Sequence, residues 1–256
     1  MRVVSAVSGV MVKELIRKKD FYVFLGLLTA ILGFLSFQSF SGIGGVSRYI
    51  EEIGYTLVML FVFIIAVTFS AKQIPDEIRN KTIYPLLAKP VSRGSLIFAK
   101  YAGSVLVSSL SFLVLYCVYA FFCINSGGGA APVLYAQGLF LGECFVLLSC
   151  AMAMFFSVFL TFSANVTLSF LVYFTFGFFA EPIREAVLRA EGAAGLALSG
   201  LYYLIPHFDL YDIKVRLAHS WPPVPLWVLT VVGVYTALYC FLLLFVSEKI
   251  FSGRRL

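Results

Sequence analysis

The chain has 256 residues, of which 61% are hydrophobic and only 12% charged. Soluble domains carry roughly 25% charged residues, so the composition excludes an ordinary soluble domain and points to an integral membrane protein. The net charge of +6 does not argue for a nucleic-acid partner. No basic stripe with interleaved aromatics occurs in a polar stretch, and basic residues beside apolar runs set membrane topology.

In residues 1–20, Val4, Val7, Val10, Met11 and Leu15 recur at spacings of three and four, with Lys13, Arg17, Lys18 and Lys19 on other faces or at the end. That pattern predicts an amphipathic helix lying in the headgroup plane, its cations turned to anionic lipid. Six apolar spans follow, at about 21–40, 54–71, 96–124, 133–160, 166–180 and 225–246. A helix needs about 20 apolar residues to cross the hydrocarbon core. The first span lacks a small-residue cleavage site and is expected to stay as an uncleaved anchor. The fifth is expected to stop at Glu181-Pro182, because the residue before a proline is pushed out of helical geometry. The expected fold is all-α, a single transmembrane domain covering 1–256.

The connections carry the polar residues. A Gly-rich stretch joins spans one and two, Asn125 and the glycines at 127–129 end span three, and 161–165 turns between spans four and five. The long segment 181–224 is read as external, with Ile183, Val187, Leu188, Leu196, Leu198, Leu201 and Leu204 forming short helices at the outer surface. Trp221 and Trp227 beside Pro222, Pro223 and Pro225 read as an interfacial anchor leading into span six. With six spans both termini share a side. That side collects Arg2, Lys13, Arg17, Lys18, Lys19, Lys72, Arg79, Lys81, Lys89, Arg93, Lys100, Lys249, Arg254 and Arg255, leaving Arg48, Arg184, Arg189, Lys214 and Arg216 opposite. The bias predicts cytoplasmic termini and a cytoplasmic 72–95 loop.

That loop is the chain's longest charged island between two apolar runs. Pro75, Asp76 and Glu77 suit the first turn of a helix, where anions meet the positive end of its dipole. Ile74, Ile78, Thr82 and Leu86 share a face, while Pro85 and Pro90 should kink and then stop the helix. The expectation is a short docking helix held against the inner membrane face.

Glu77, Arg79, Thr82, Leu86, Leu87, Lys89, Pro90, Val91, Ser92 and Arg93, followed by Phe98 and Lys100, resemble in type and spacing the cytoplasmic loop of type 2 ABC transporter permeases. Two positions differ: Lys81 stands where that family usually has Gly, and Pro85 interrupts its leucine-rich helix. Lys13, Glu14, Leu15, Arg17, Lys18 and Lys19 are similar to the family's entry segment, and 203–212 is similar to the stretch before its last span. The resemblance implies a six-span exporter subunit that works as a homodimer or heterodimer. Its 72–95 loop would dock into a groove on a separate cytoplasmic ATPase, with Asp76, Glu77, Arg79, Thr82, Leu86, Leu87, Lys89, Pro90 and Arg93 as the coupling residues. This chain has no Gly-x-x-x-x-Gly-Lys-Ser/Thr stretch to cradle phosphates. ATP and magnesium are therefore expected on the partner, and no cofactor on this chain.

Three further features bear on function. Glu143 is a carboxylate well inside the fourth span, a costly placement that marks either a translocation pathway or a protonated acid bonded to a neighbouring helix. His207, Asp209, Asp212 and His219 are metal-ligand types in the external segment, at a spacing that fits no specific metal motif. They leave room for an alternative, a maturation or assembly permease with an external metal-related site, or a membrane-embedded enzyme. The enzyme alternative lacks any paired carboxylates, His-Glu-x-x-His or nucleophile elbow. Cys117, Cys123, Cys144, Cys150 and Cys240 all lie in apolar runs without a Cys-x-x-Cys pair and read as small hydrophobes.

Overall fold

The computed structural model of the protein describes residues 19–40, 46–79, 93–127, 130–189, 195, 199–200, 202 and 205–253. Residues 1–18 of the interfacial helix expected over 1–20 and the loop positions Thr82, Leu86, Leu87, Lys89 and Pro90 lie outside them, while Lys19 and Asp20 open the first long helix. Among the described residues the chain is all-helical. In order come α1 (Lys19–Phe40), α2 (Val46–Ala71), α3 (Gln73–Arg79), α4 (Arg93–Asn125), α5 (Pro132–Ser157), α6 (Phe162–Arg189), a 3-10 turn (Phe208–Tyr211), α7 (Lys214–Ala218) and α8 (Leu226–Gly253).

Four helical stretches are long and apolar enough to cross a membrane: Ser47–Glu77, Gly94–Asn125, Pro132–Ser157 and Leu226–Gly253. The two halves of α6, Phe162–Gly177 and Glu181–Arg189, meet at 75° and together make a fifth candidate. In α1 the apolar part, Phe21–Phe37, is shorter. This is a multi-pass membrane protein. Helix α6 also corrects one expectation. Helical geometry does not stop at Glu181-Pro182 but runs through Pro182 to Arg189, and a bend ends the straight part. Proline removes one backbone donor and crowds the preceding turn, which kinks a helix without always ending it.

The bundle is built around α2 and α5, each two-thirds buried over its most apolar window, whereas α8 is only 17% buried over its own. Helix α5 starts with Pro132 at its first turn after an extended Ala131, where the missing N–H would have had no helical acceptor. Without a hydrophobic force between helices in lipid, small residues that allow close approach do the packing. Gly142 of α5 is such a residue: a Cβ there would fall onto the Phe112 ring of α4. Ser108 of α4, fully buried, lies 3.6 Å from the Cys150 Sγ of α5. Helix α1 joins through a stacked Phe24–Phe61 pair at 5.1 Å and a 3.0 Å Ser36–Ser126 hydroxyl bond.

These contacts define two ends. The ends of α2, α5 and α8 and the starts of α4 and α6 gather with α3 at one, hereafter the α3 end. There Asn165 at the start of α6 donates from Nδ2 to the Ala153 carbonyl of α5 at 2.8 Å, tying the turn between the two helices. The Glu248 carboxylate of α8 covers Gly94 at the N-terminus of α4, a favourable place for an anion.

The segment 205–218 is the largest departure from the sequence reading. The surface helices are expected over 183–204, of which Leu196, Leu198, Leu201 and Leu204 lie outside the described residues, whereas the turn that follows enters the bundle. Phe208 and Tyr211 are buried. The Phe208 ring lies 5.9 Å from Phe63, 5.5 Å from Phe145 and 6.0 Å from Tyr173, on α2, α5 and α6. Phe145 is about 20 Å along α5 at 1.5 Å per residue, which puts Phe208 near mid-depth. Irregular backbone at that depth is tolerated only where protein covers it. Here Tyr55 donates to the Tyr211 carbonyl at 3.0 Å, the Tyr211 and Thr236 hydroxyls bond at 2.8 Å, and Tyr235 Oη accepts the His207 N–H at 3.0 Å.

Candidate functional site

The first candidate is the connection between α2 and α4. Helix α2 ends at Ala71 and α3 starts two residues later, its Asp76 N–H bonded to the Lys72 carbonyl at 3.0 Å. Pro75 falls in the opening turn, Asp76 near the N-terminus and Arg79 in the last turn, a charge order that agrees with the helix dipole. Asp76 and Arg79 pair at 3.2 Å on the exposed side, with Arg79 76% exposed.

Glu77 behaves differently. Its Oε1 lies 2.5 Å from Lys100 Nζ, and both side chains are nearly buried, at 13% and 14% exposure. Lys100 sits in the second turn of α4, so the pair ties α3 to the start of the next span. Ile74, fully buried, anchors the apolar face of α3. Pro75 and Arg79 face the turn at 157–161 between α5 and α6 across a shallow depression of about 300 Å³. Of the sequence-predicted coupling residues, Asp76 and Arg79 thus face outward, Glu77 turns inward, and Arg93 is the first residue of α4.

Glu143 is half-buried on α5 and accepts a 2.7 Å hydrogen bond from Ser109 Oγ of α4. Such a bond satisfies part of the carboxyl's demand within the membrane. A second buried acid, Glu51, escaped the sequence reading because it was assigned to a connection. It is 1% exposed in the second turn of α2 and accepts from Tyr135 Oη at 3.1 Å, while Tyr119 Oη donates to its carbonyl at 3.1 Å.

The structure does not bring His207, Asp209, Asp212 and His219 together. His207 is buried in an aromatic box of Phe176 and Tyr202, at ring distances of 5.2 and 4.4 Å, and its Nε2 has no hydrogen-bond partner among the described residues. Asp212 pairs with Lys214 at 2.7 Å. His219 stacks on Trp221 at 6.0 Å. No group of three or more His, Cys, Asp or Glu able to hold a metal occurs among the described residues. Asp209 and Asp212 instead line a cavity of about 520 Å³ between α2, α5 and α6, with Tyr55, Tyr173, Glu181 and Lys214 on its other walls.

A bundle of apolar helices with a short charged helix clamped between its second and third long members defines a polytopic membrane protein. No curated protein matches the chain. The sequence profile described as ABC-2 family transporter protein matches residues 6–218. The chain belongs to that family and is a type 2 ABC transporter permease. The match covers every helix described here except α8.

Proposed function

We propose that the chain is one membrane-spanning subunit of an ABC exporter in a bacterial or archaeal inner membrane. It crosses six times with both termini in the cytoplasm and pairs with a second permease subunit, identical or related. Two separate ATPase subunits hold ATP and magnesium. The placement of α3 supports this reading: it follows directly on α2 and faces Asp76 and Arg79 outward, and the charge bias of the sequence, fourteen of nineteen cations in a six-span topology, assigns its side to the cytoplasm. In the proposed mechanism α3 and the 80–92 loop seat in a groove of the ATPase. Closure of the two ATPases pushes α3 as a lever. The Glu77–Lys100 pair passes that displacement to α4, and Ile74 passes it to the bundle core.

Export as the direction rests on the resemblance of 77–100 to type 2 permeases. The test is reconstitution of the permease with its ATPase in proteoliposomes. Arg79→Ala should leave the permease inserted and dimeric but lower ATP-driven transport by tenfold or more, as expected for a lost outward-facing, charge-assisted contact of about 1.5–3 kcal/mol. Unchanged coupling in Arg79→Ala together with Asp76→Ala would overturn the docking role of α3.

A further inference from the structure

Helices α6 and α8 leave a gap between them. Its floor is the α3-end half of α5, around Phe156, its walls are Val172 of α6 and Leu242 and Val246 of α8, and Pro206 closes its inner limit. The space is about 340 Å³, within the roughly 300–1,000 Å³ of ordinary ligand cavities, and its lining is almost wholly apolar. Water would find too few polar partners there to stay. An empty space of that size would forfeit the contacts of every lining atom. Beside it Leu238, Phe241 and Phe245 of α8 are exposed at 63%, 70% and 48%, so at this depth the bilayer itself abuts the opening.

We propose that this cleft is a phospholipid site that holds one acyl chain and selects an acidic headgroup. The headgroup preference follows from the order of residues on α8. Leu242, Val246 and Lys249 lie at i, i+4 and i+7 on one stripe, so the lysine stands one turn beyond the cleft, towards the membrane surface at the α3 end. Its Nζ is held 5.4 Å from the Phe245 ring. The neighbouring carboxylate, Glu248, is turned the other way onto Gly94 at the start of α4, so it does not neutralise Lys249. An acyl chain lying along the stripe brings its phosphate to this ammonium. The chain also abuts Pro206, next to the His207 N–H bond to Tyr235, so the lipid supports the segment that enters the bundle.

The experiment uses the intact protein in phosphatidylcholine nanodiscs doped with a phospholipid carrying a diazirine on its acyl chain, in phosphatidylglycerol and phosphatidylcholine versions. After irradiation, adducts are mapped by mass spectrometry. Cleft adducts on Phe156, Val172 and Val246 should be competed by unlabelled phosphatidylglycerol. They should favour the phosphatidylglycerol probe about fivefold, the effect of one lysine near an anionic headgroup, whereas adducts on Phe241 should show no preference. Val246→Trp should abolish the cleft adducts and keep those on Phe241. Lys249→Gln, which leaves the cleft unfilled, should keep the adducts but bring the preference to about one. Cleft adducts with no headgroup preference in the unmodified protein would overturn the proposal. So would their absence together with cross-linking of two copies through Leu242→Cys, which would make the cleft a subunit contact.

Discussion

Glu77 and Lys100 offer the most direct handle on how α3 is held. The pair joins a seven-residue helix to the second turn of α4, and neither side chain exposes more than 14% of itself. An exposed ion pair is worth about 0–1 kcal/mol. Removing one partner of a buried pair costs about 3–5 kcal/mol, because the remaining charge stays buried and unpaired. At the observed exposure the cost should fall between, at about 2–3 kcal/mol. One tenfold change in equilibrium corresponds to about 1.4 kcal/mol, so Glu77→Gln should shift α3 towards an undocked state by about 30- to 150-fold. Hydrogen exchange of the 73–79 amides reads this local opening: protection should fall by that factor in Glu77→Gln and in Lys100→Met. It should largely return in the exchanged pair Glu77→Lys with Lys100→Glu. Protection that stays within threefold in both single variants would refute the clamp, as would a coupling energy below about 0.5 kcal/mol in the double-mutant cycle.

Two further outcomes follow from the packing. Gly142→Ala should destabilise the α4–α5 contact by about 1–3 kcal/mol, the usual cost of overpacking, and Phe112→Leu in the same chain should recover part of it. Thermal unfolding in detergent checks both, and an unchanged midpoint in Gly142→Ala would contradict the close approach. Tyr55→Phe deletes the hydroxyl that donates to the Tyr211 carbonyl. A lost hydrogen bond of this type costs about 1 kcal/mol, so exchange of the 208–213 amides should quicken by about fivefold while that of α2 stays put.

The long helices were legible because a span has to be apolar almost throughout, and hydropathy alone finds such runs. The short helix that opens the charged island, Gln73–Arg79, was legible too, since Pro75, Asp76 and Arg79 carry local helix-start and helix-end chemistry. What escaped depends on contacts between distant residues. Phe208 and Tyr211 alternate with Asp209 and Asp212, the pattern of an interfacial stretch, and only the tyrosines of α2 and α6 and Thr236 of α8 make room for the pair inside the bundle. Glu77 reads like its neighbours Asp76 and Arg79, and only the fold brings Lys100, across the whole loop, to its carboxylate. Glu51 sits at the edge of a polar connection, so its burial required α2 to begin several residues earlier than its apolar run. Pro182 looked like a stop because sequence records a proline's restrictions but not whether neighbouring helices accept a bend.

If α3 meets an ATPase at the cytoplasmic face, a site-directed cross-link should capture the contact. With the five native cysteines replaced and Arg79→Cys introduced, the permease is co-expressed with its ATPase and membranes are treated with a short bifunctional maleimide. A permease–ATPase adduct should form from position 79, weaken when ATP turnover is blocked in one state, and be absent from Leu226→Cys at the opposite end of α8. Position 79 remaining unlinked while a membrane-impermeant maleimide reaches it from outside intact cells would contradict both the topology and the docking role.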